Sequence, residues 1–181
     1  MSEKIIIRTE NPKSQEERRQ MKLVLDMLND VKFPVKKPYK DNTRSNITGG
    51  KKMDIKAIVL GKVRSYSESN LVESSKNKRY PELFIALKKL IKLHNPNYRW
   101  NSVIINKNLK TSWHRDRGNK GMSYGIGLGN FTGGGISFRI AGKIRPMNNH
   151  NKWLYFDGNN IEHSSTAFKG TRYAIIYYWK K

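Results

Sequence analysis

Cysteine is absent from this chain of 181 residues. That excludes disulfides, a thiolate metal site and a cysteine nucleophile, so any metal must rest on His, Asp or Glu. Long apolar runs are absent too. The longest, AIIYYW at 174–179, is strand-sized and far short of the roughly 20 residues that a membrane-spanning helix needs. The opening MSEKIIIRTE lacks the apolar core and cleavage site of a signal peptide. The expectation is an intracellular, monomeric protein with no membrane association. Acid is scarce: 14 Asp and Glu stand against 36 Lys and Arg, a formal net charge of +22. The excess is spread and grows along the chain, and after residue 100 Asp116, Asp157 and Glu162 are the only acids. A positive field of this size favours polyanions, so nucleic acid is the expected partner, DNA before RNA. Histidine is scarce as well, at four, which makes the position of each informative.

What is present reads as one domain with a core. Residues 1–50 form an extended lead-in, a helix and a polar loop; residues 51–181 form the core. SQEERRQMKLVLDMLND predicts a helix from Ser14 to about Asn29. Ser14 and Glu17 make a capping box there, and Met21, Val24, Leu25 and Leu28 form one apolar stripe. The segments at 33–52 and 62–79 are polar and read as loops. A second helix is predicted from Pro81 to about Leu93, with Leu83, Leu87, Leu90 and Ile91 on one face and His94 as a C-terminal cap. Strands are predicted at 55–61, 102–106, 123–129, 135–142, 152–158 and 171–179. Helices first, then many short strands with glycine-rich turns, imply an α+β protein built on a β-sandwich or jelly roll.

His114 and Asp116 stand two residues apart in SWHRDRGNKG, and residues two apart on an extended chain point the same way. A metal would need a third ligand. His94 is expected at a helix end and His150 in the turn-like PMNNHNK. His163 lies between a turn and the most apolar strand, which makes it the best third ligand. Two His and one carboxylate on one face is the donor set of non-haem Fe(II) oxygenases, which leaves positions open for a co-substrate and dioxygen. Arg172 begins the 171–179 strand and shares a face with Ala174 and Ile176. Acids are too few nearby to pair it, and a dicarboxylate such as a 2-oxo acid would do so. In SYGIGLG, Gly125, Gly127 and Gly129 leave one side of a strand bare, a mark of close approach by a ligand or by backbone.

Two stretches, VIINKNLKTSWHRDRGNKGMSYGIGLGNFTGGGISF and WLYFDGNNIEHSSTAFKGTRYAIIYYW, together resemble the Fe(II)/2-oxoglutarate dioxygenases. They are most similar to the TET/J-binding-protein group of nucleobase hydroxylases in its compact viral and phage forms. The resemblance runs from Val103 to Trp179 and keeps the H-x-D, GLGNFTGGG, FDG…H and GTRY segments in order. It implies a double-stranded β-helix (jelly-roll) core with the N-terminal helices packed on it. It also implies iron on His114, Asp116 and His163, 2-oxoglutarate paired with Arg172, and dioxygen as the oxidant. Asn106 would contact the co-substrate, as a similarly placed Asn does in the AlkB-like branch. That branch has Asn-x-Tyr, whereas this chain has Asn106-Lys107-Asn108.

The activity so implied is hydroxylation of 5-methylcytosine or thymine in nucleic acid. The alternatives are AlkB-like removal of N-linked methyls from DNA or RNA bases, and a catalytically inert nucleic-acid-binding jelly roll. A target base must leave its stack to reach a buried metal. Trp113, Tyr124, Phe131 and Phe138 are aromatic candidates for holding it, with core packing the stronger expectation for Tyr124 and Phe138. Arg115, Arg117, Asn119 and Lys120 are candidates for phosphate or base contact.

Overall fold

The structure, a computed structural model, describes residues 5–37, 40, 44–65, 67 and 70–181. The first half carries β1 (Ile7–Glu10), α1 (Gln15–Asp30), β2 (Val35–Lys36), α2 (Ser45–Thr48), β3 (Ile55–Arg64), β4 (Leu71–Glu73), α3 (Ser75–Arg79) and α4 (Pro81–His94). The second half carries strands alone. They are β5 (Ser102–Lys107), β6 (Asn119–Leu128), β7 (Phe131–Gly133), β8 (Ile136–Ile140), β9 (Lys143–Met147), β10 (Trp153–Phe156), β11 (Glu162–Ser165), β12 (Phe168–Gly170) and β13 (Tyr173–Lys180).

The main sheet runs β1-β10-β6-β13-β5-β3-β2, with β4 on β3; β11-β8-β9 and β12-β7 form two smaller sheets. This is the α+β jelly roll that the sequence led us to expect. Alternation along β13 organises it. Tyr173, Ile175 and Tyr177 point outward into the larger core, against Met21, Val24 and Leu28 of α1 and Leu83, Leu87, Leu90 and Ile91 of α4. Arg172, Ala174, Ile176, Tyr178 and Lys180 point the other way and line a cavity. The opposing wall is the small sheet, whose Ile136 and Phe138 pack on Ile7, Leu154 and Phe156 of the main one.

Several segments depart from the sequence reading. The lead-in supplies an edge strand, since Ile7–Glu10 pairs antiparallel with Phe156–Trp153. The described parts of 62–79 are ordered rather than irregular, residues 66, 68 and 69 lying outside the described residues: β3 continues to Arg64 and pairs with β4, and Ser74 caps α3 by accepting from the Lys76 amide. The 33–52 loop holds β2 and the one-turn α2, whose Ile47 and Thr48 are buried. β9 was not anticipated because it is a charged, exposed edge strand, joined to β8 by a tight turn with positive φ at Ala141 and Gly142. β11 reads as a loop because its residues are polar, yet His163, Ser164 and Ser165 are buried.

At the start of α1, Ser14 Oγ accepts from the Glu17 amide as expected of an N-cap. Glu17 does not return to Ser14. It is fully buried, and its carboxylate accepts from the Lys13 amide (2.6 Å), Trp153 Nε1 (2.6 Å) and His94 Nδ1 (2.9 Å). His94 therefore does not act as the expected C-terminal cap. Its other nitrogen meets Glu10 at 2.8 Å, and its ring stacks on Trp153. Among the described residues, no helix is long and apolar enough to cross a membrane.

Candidate metal centre and its pocket

His114, Asp116 and His163 converge, with their ligand atoms all within 4.8 Å of one another, the one such His/Asp/Glu group among the described residues. Backbone bonds fix all three. The His114 and His163 amides and carbonyls bond reciprocally at 3.0 and 2.9 Å, and the Asp116 amide donates to the Gly158 carbonyl at 2.8 Å. Each histidine turns Nδ1 to a carbonyl: His114 to Ser112 at 2.7 Å, His163 to Ile161 at 2.9 Å. A carbonyl can only accept, so Nδ1 carries the hydrogen and the neutral ring keeps its lone pair on Nε2. Those two Nε2 atoms lie 3.5 and 3.6 Å from the Asp116 oxygens. Burial lowers His163 from the ordinary histidine value, against the pull of Asp116. Burial would raise Asp116, but contact with His114 and the charges of His163 and Arg44 outweigh it and hold the carboxyl below its usual range. Two lone-pair donors and an ionised carboxylate thus face one point, the donor set a divalent metal requires.

The group opens on a cavity of about 250 Å³. Exposure falls inward along β13, from half-buried Lys180, Tyr178 and Ile176 to Ala174 and Arg172 at the closed end. Arg172 is 2% exposed, and its Nε has no hydrogen-bond partner among the described residues. The later acids are committed elsewhere: Asp157 accepts from Asn159 and Asn160, and Glu162 pairs with Arg139. Phe131 and Phe168 flank the guanidinium, and burial lowers it to about 10, still a cation at neutral pH. A second orphan, Asn149 Oδ1, also lies in this cavity; turning the amide would present Nδ2 instead. Buried polar atoms seldom go unpaired. An unpaired cation and an unpaired amide at the closed end fit an anionic ligand with a terminal carboxylate.

The other sequence candidates divide. Asn106, Arg115, Arg117 and Asn119 line the cavity; Trp113 does not, since it lies under the Arg139 guanidinium at 4.4 Å. Tyr124 and Phe138 are core residues, and Phe131 stacks on His150. His150 Nε2 bonds the Gly129 carbonyl, which suits a packing role. The glycine face lies against the chain's own atoms: Gly125 faces Phe156 and Ile176, Gly127 faces Phe131 and the Asn149 carbonyl, and Gly129 faces the Thr171 carbonyl. Five residues were missed. Tyr178 was readable from the parity of Arg172, Ala174 and Ile176. Asn108, with φ 53°, accepts from the Arg172 amide at 2.7 Å and fixes the arginine's entry. Gly158 was read only as the end of the 152–158 strand, yet a Cβ there would lie 2.7 Å from Asp116 Oδ2. Nothing in the sequence flagged Asn149 or Arg44.

The sequence matches no family model and no curated protein. Solved structures match in fold. NgTET1 in complex with 5mC DNA superposes with a TM-score of 0.58 at 14% identity, over 97% of this chain and 72% of that one. A prolyl hydroxylase in complex with a hypoxia inducible factor oxygen degradation domain peptide fragment from Trichoplax adhaerens gives 0.57 at 13%, over 96% and 83%. An oxidoreductase of the 2OG-Fe(II) oxygenase family from Burkholderia pseudomallei gives 0.55 at 16%, over 92% and 80%. The chain has the jelly-roll fold of the 2-oxoglutarate/Fe(II) oxygenases.

Proposed function

We propose that this chain is an Fe(II)- and 2-oxoglutarate-dependent dioxygenase that hydroxylates a methylated or modified pyrimidine, 5-methylcytosine or thymine, in nucleic acid. One observation carries the reading: a His-Asp-His donor set stands in the same cavity as a buried arginine without an acid partner among the described residues. His114, Asp116 and His163 would hold the iron, and Arg172 would hold the distal carboxylate of the co-substrate. Iron with 2-oxoglutarate and dioxygen supplies the oxidant for a C–H bond, with succinate and carbon dioxide as co-products. The protein's part is to orient and to keep water out. Asn108 sets the backbone of Arg172, while Phe131 and Phe168 keep its surroundings apolar. Asn106 lies beside Ala174 across the strand pair, within the same cavity.

The fold does not choose the substrate, since one similar structure was solved with DNA and another with a peptide. Charge favours nucleic acid. Arg44, Arg115, Arg117 and Lys180 all line the cavity, against Asp116 as the acid among its residues. Lys180 is lowered by burial and by Arg64, and Lys36 by burial, Arg44 and Lys76. The test is mass spectrometry of nucleosides after incubation with Fe(II), 2-oxoglutarate and oligonucleotides of mixed modification. A hydroxymethylated pyrimidine is expected. Loss of N-linked methyls would replace this reading with demethylation, and succinate without any base change would remove nucleic acid as substrate.

A further inference from the structure

Arg44 lies outside every segment that suggested the site. It precedes α2 with φ 56°, a left-handed conformation that an arginine adopts at a cost. The segment that follows is held in place. Ile47 packs with Ile55, Ala57 and Leu109, and its carbonyl accepts from the Ser112 amide at 2.7 Å, two residues before His114. The side chain enters the cavity, where Nη1 donates to Asn106 Oδ1 at 3.2 Å. Burial lowers the guanidinium, while the nearby Tyr178 and Asp116 work to raise it. Tyr178 is the one Phe, Tyr or Trp among the described cavity residues. It stands between the closed end and the mouth, two residues from Ile176 and two from Lys180.

Resting on the function proposed above, we propose that Arg44 and Tyr178 form the base reader of this pocket. Tyr178 offers the flat face on which a heterocycle stacks, and Arg44 offers a fork of N–H donors to its edge. A fork fits two adjacent acceptors. Cytosine presents such a pair, O2 beside N3; thymine does not, because its N3 bears a hydrogen between two carbonyls. The reader therefore selects cytosine. Asn106 is the positioning residue, since its side-chain oxygen takes one Arg44 donor and fixes the plane of the fork. The exposed Arg115 and Arg117 are left for phosphates, which carry affinity without base choice.

The test is binding, measured by fluorescence anisotropy with Mn(II) and 2-oxoglutarate present. The probes are two short single strands, one with a central cytosine between abasic sites and one with thymine there. Wild type should hold the cytosine probe about ten- to a hundred-fold more tightly, the range of a good bidentate contact. Arg44→Gln should erase that ratio while keeping the salt-dependent affinity common to both probes, and Arg44→Lys should restore little of it. Tyr178→Ala should weaken both probes alike, and Tyr178→Phe should restore them. Melting curves confirm that each variant is folded. A preserved ratio in Arg44→Gln overturns the proposal. So does a tenfold loss of 2-oxoglutarate affinity in that variant with the ratio unchanged, which would assign Arg44 to the co-substrate. Equal binding of both probes by wild type removes the reader alone, whereas no binding of either at low salt removes the nucleic-acid reading with it.

Discussion

Two clusters in this molecule are built from the same kinds of group, imidazole and carboxylate. One joins His94 to Glu10 and Glu17; the other joins His114 and His163 to Asp116. In the first, both ring nitrogens of His94 meet carboxylates, and Glu17 accepts from three donors. Tyr124 and Arg8 both donate to Glu10 Oε1. The second is tied equally well to backbone, but only through Nδ1. Its Nε2 atoms and carboxylate face each other with no donor among them. The lesson is that burial and composition do not distinguish a structural histidine from one proposed as a metal ligand. The decisive feature is where the second nitrogen points, and that is fixed by what the first one bonds.

The comparison breaks most visibly at His163. His163→Ala should abolish Fe(II)-dependent turnover of 2-oxoglutarate and Mn(II) binding in calorimetric titration, with the melting temperature almost unmoved. His114→Ala and Asp116→Ala should behave alike. Full activity in His163→Ala, with loss in His150→Ala, would reassign the third ligand.

The opposite outcome is expected in the first cluster. Glu17→Ala would leave Trp153 Nε1, His94 Nδ1 and the Lys13 amide without their acceptor. Breaking a buried pair of this kind costs about 3–5 kcal/mol, which in a chain of this size lowers the melting temperature by roughly 6–20 °C. Mn(II) affinity at a temperature where the variant is folded should equal that of wild type. A melting temperature unchanged by Glu17→Ala would mean that the cluster does not brace the N-terminal segment.

Arg172 tests a third arrangement, a buried charge with no acid partner among the described residues. On the proposed function Arg172→Ala would remove a charge-assisted pair with the co-substrate, and hydrogen bonds to charged groups contribute roughly 1.5–3 kcal/mol, so 2-oxoglutarate should bind about ten- to a hundred-fold more weakly. Arg172→Lys should recover part of this, because a point charge lacks the fork. Without 2-oxoglutarate the alanine variant should melt no lower than wild type, since no protein carboxylate loses a partner. A lower melting temperature with an unchanged Michaelis constant for 2-oxoglutarate would make Arg172 structural.

These contrasts explain what was legible in the sequence. Regular alternation in β13 and helical periodicity in α1 and α4 gave both faces of the core, because apolar pattern is a local property. The His114-x-Asp116 spacing was local as well. The role of His94 was not, because its partners lie 77 and 84 residues away, and a helix-terminal histidine looks the same capped or clamped. β11 was hidden because a polar strand that lines a cavity has the composition of a loop. Arg44 was hidden twice over: it sits in a polar segment, and only the fold brings that segment to Asn106.

The smallest effect concerns space rather than charge. Gly158 follows β10, and its amide neighbour in space is Asp116, which donates its N–H to the Gly158 carbonyl. A Cβ at 158 would stand 2.7 Å from Asp116 Oδ2, 3.1 Å from Phe156 Cε2 and 3.4 Å from His163 Cε1. The first contact is too close, so in Gly158→Ala the carboxylate must rotate or the turn must shift. Residues that orient metal ligands change metal affinity by about 10–100-fold when altered, and the lower end is expected because Asp116 keeps its charge. Gly125→Ala is the matched control. Its Cβ would meet Phe156, Ile176 and the Ile175 carbonyl at 3.6–3.8 Å, ordinary contact distances. That variant should bind Mn(II) as wild type does. If the two alanine variants bind Mn(II) equally well, the turn at Gly158 yields without disturbing Asp116, and the orientation of that carboxylate is set by the backbone bonds of residues 114–119 alone.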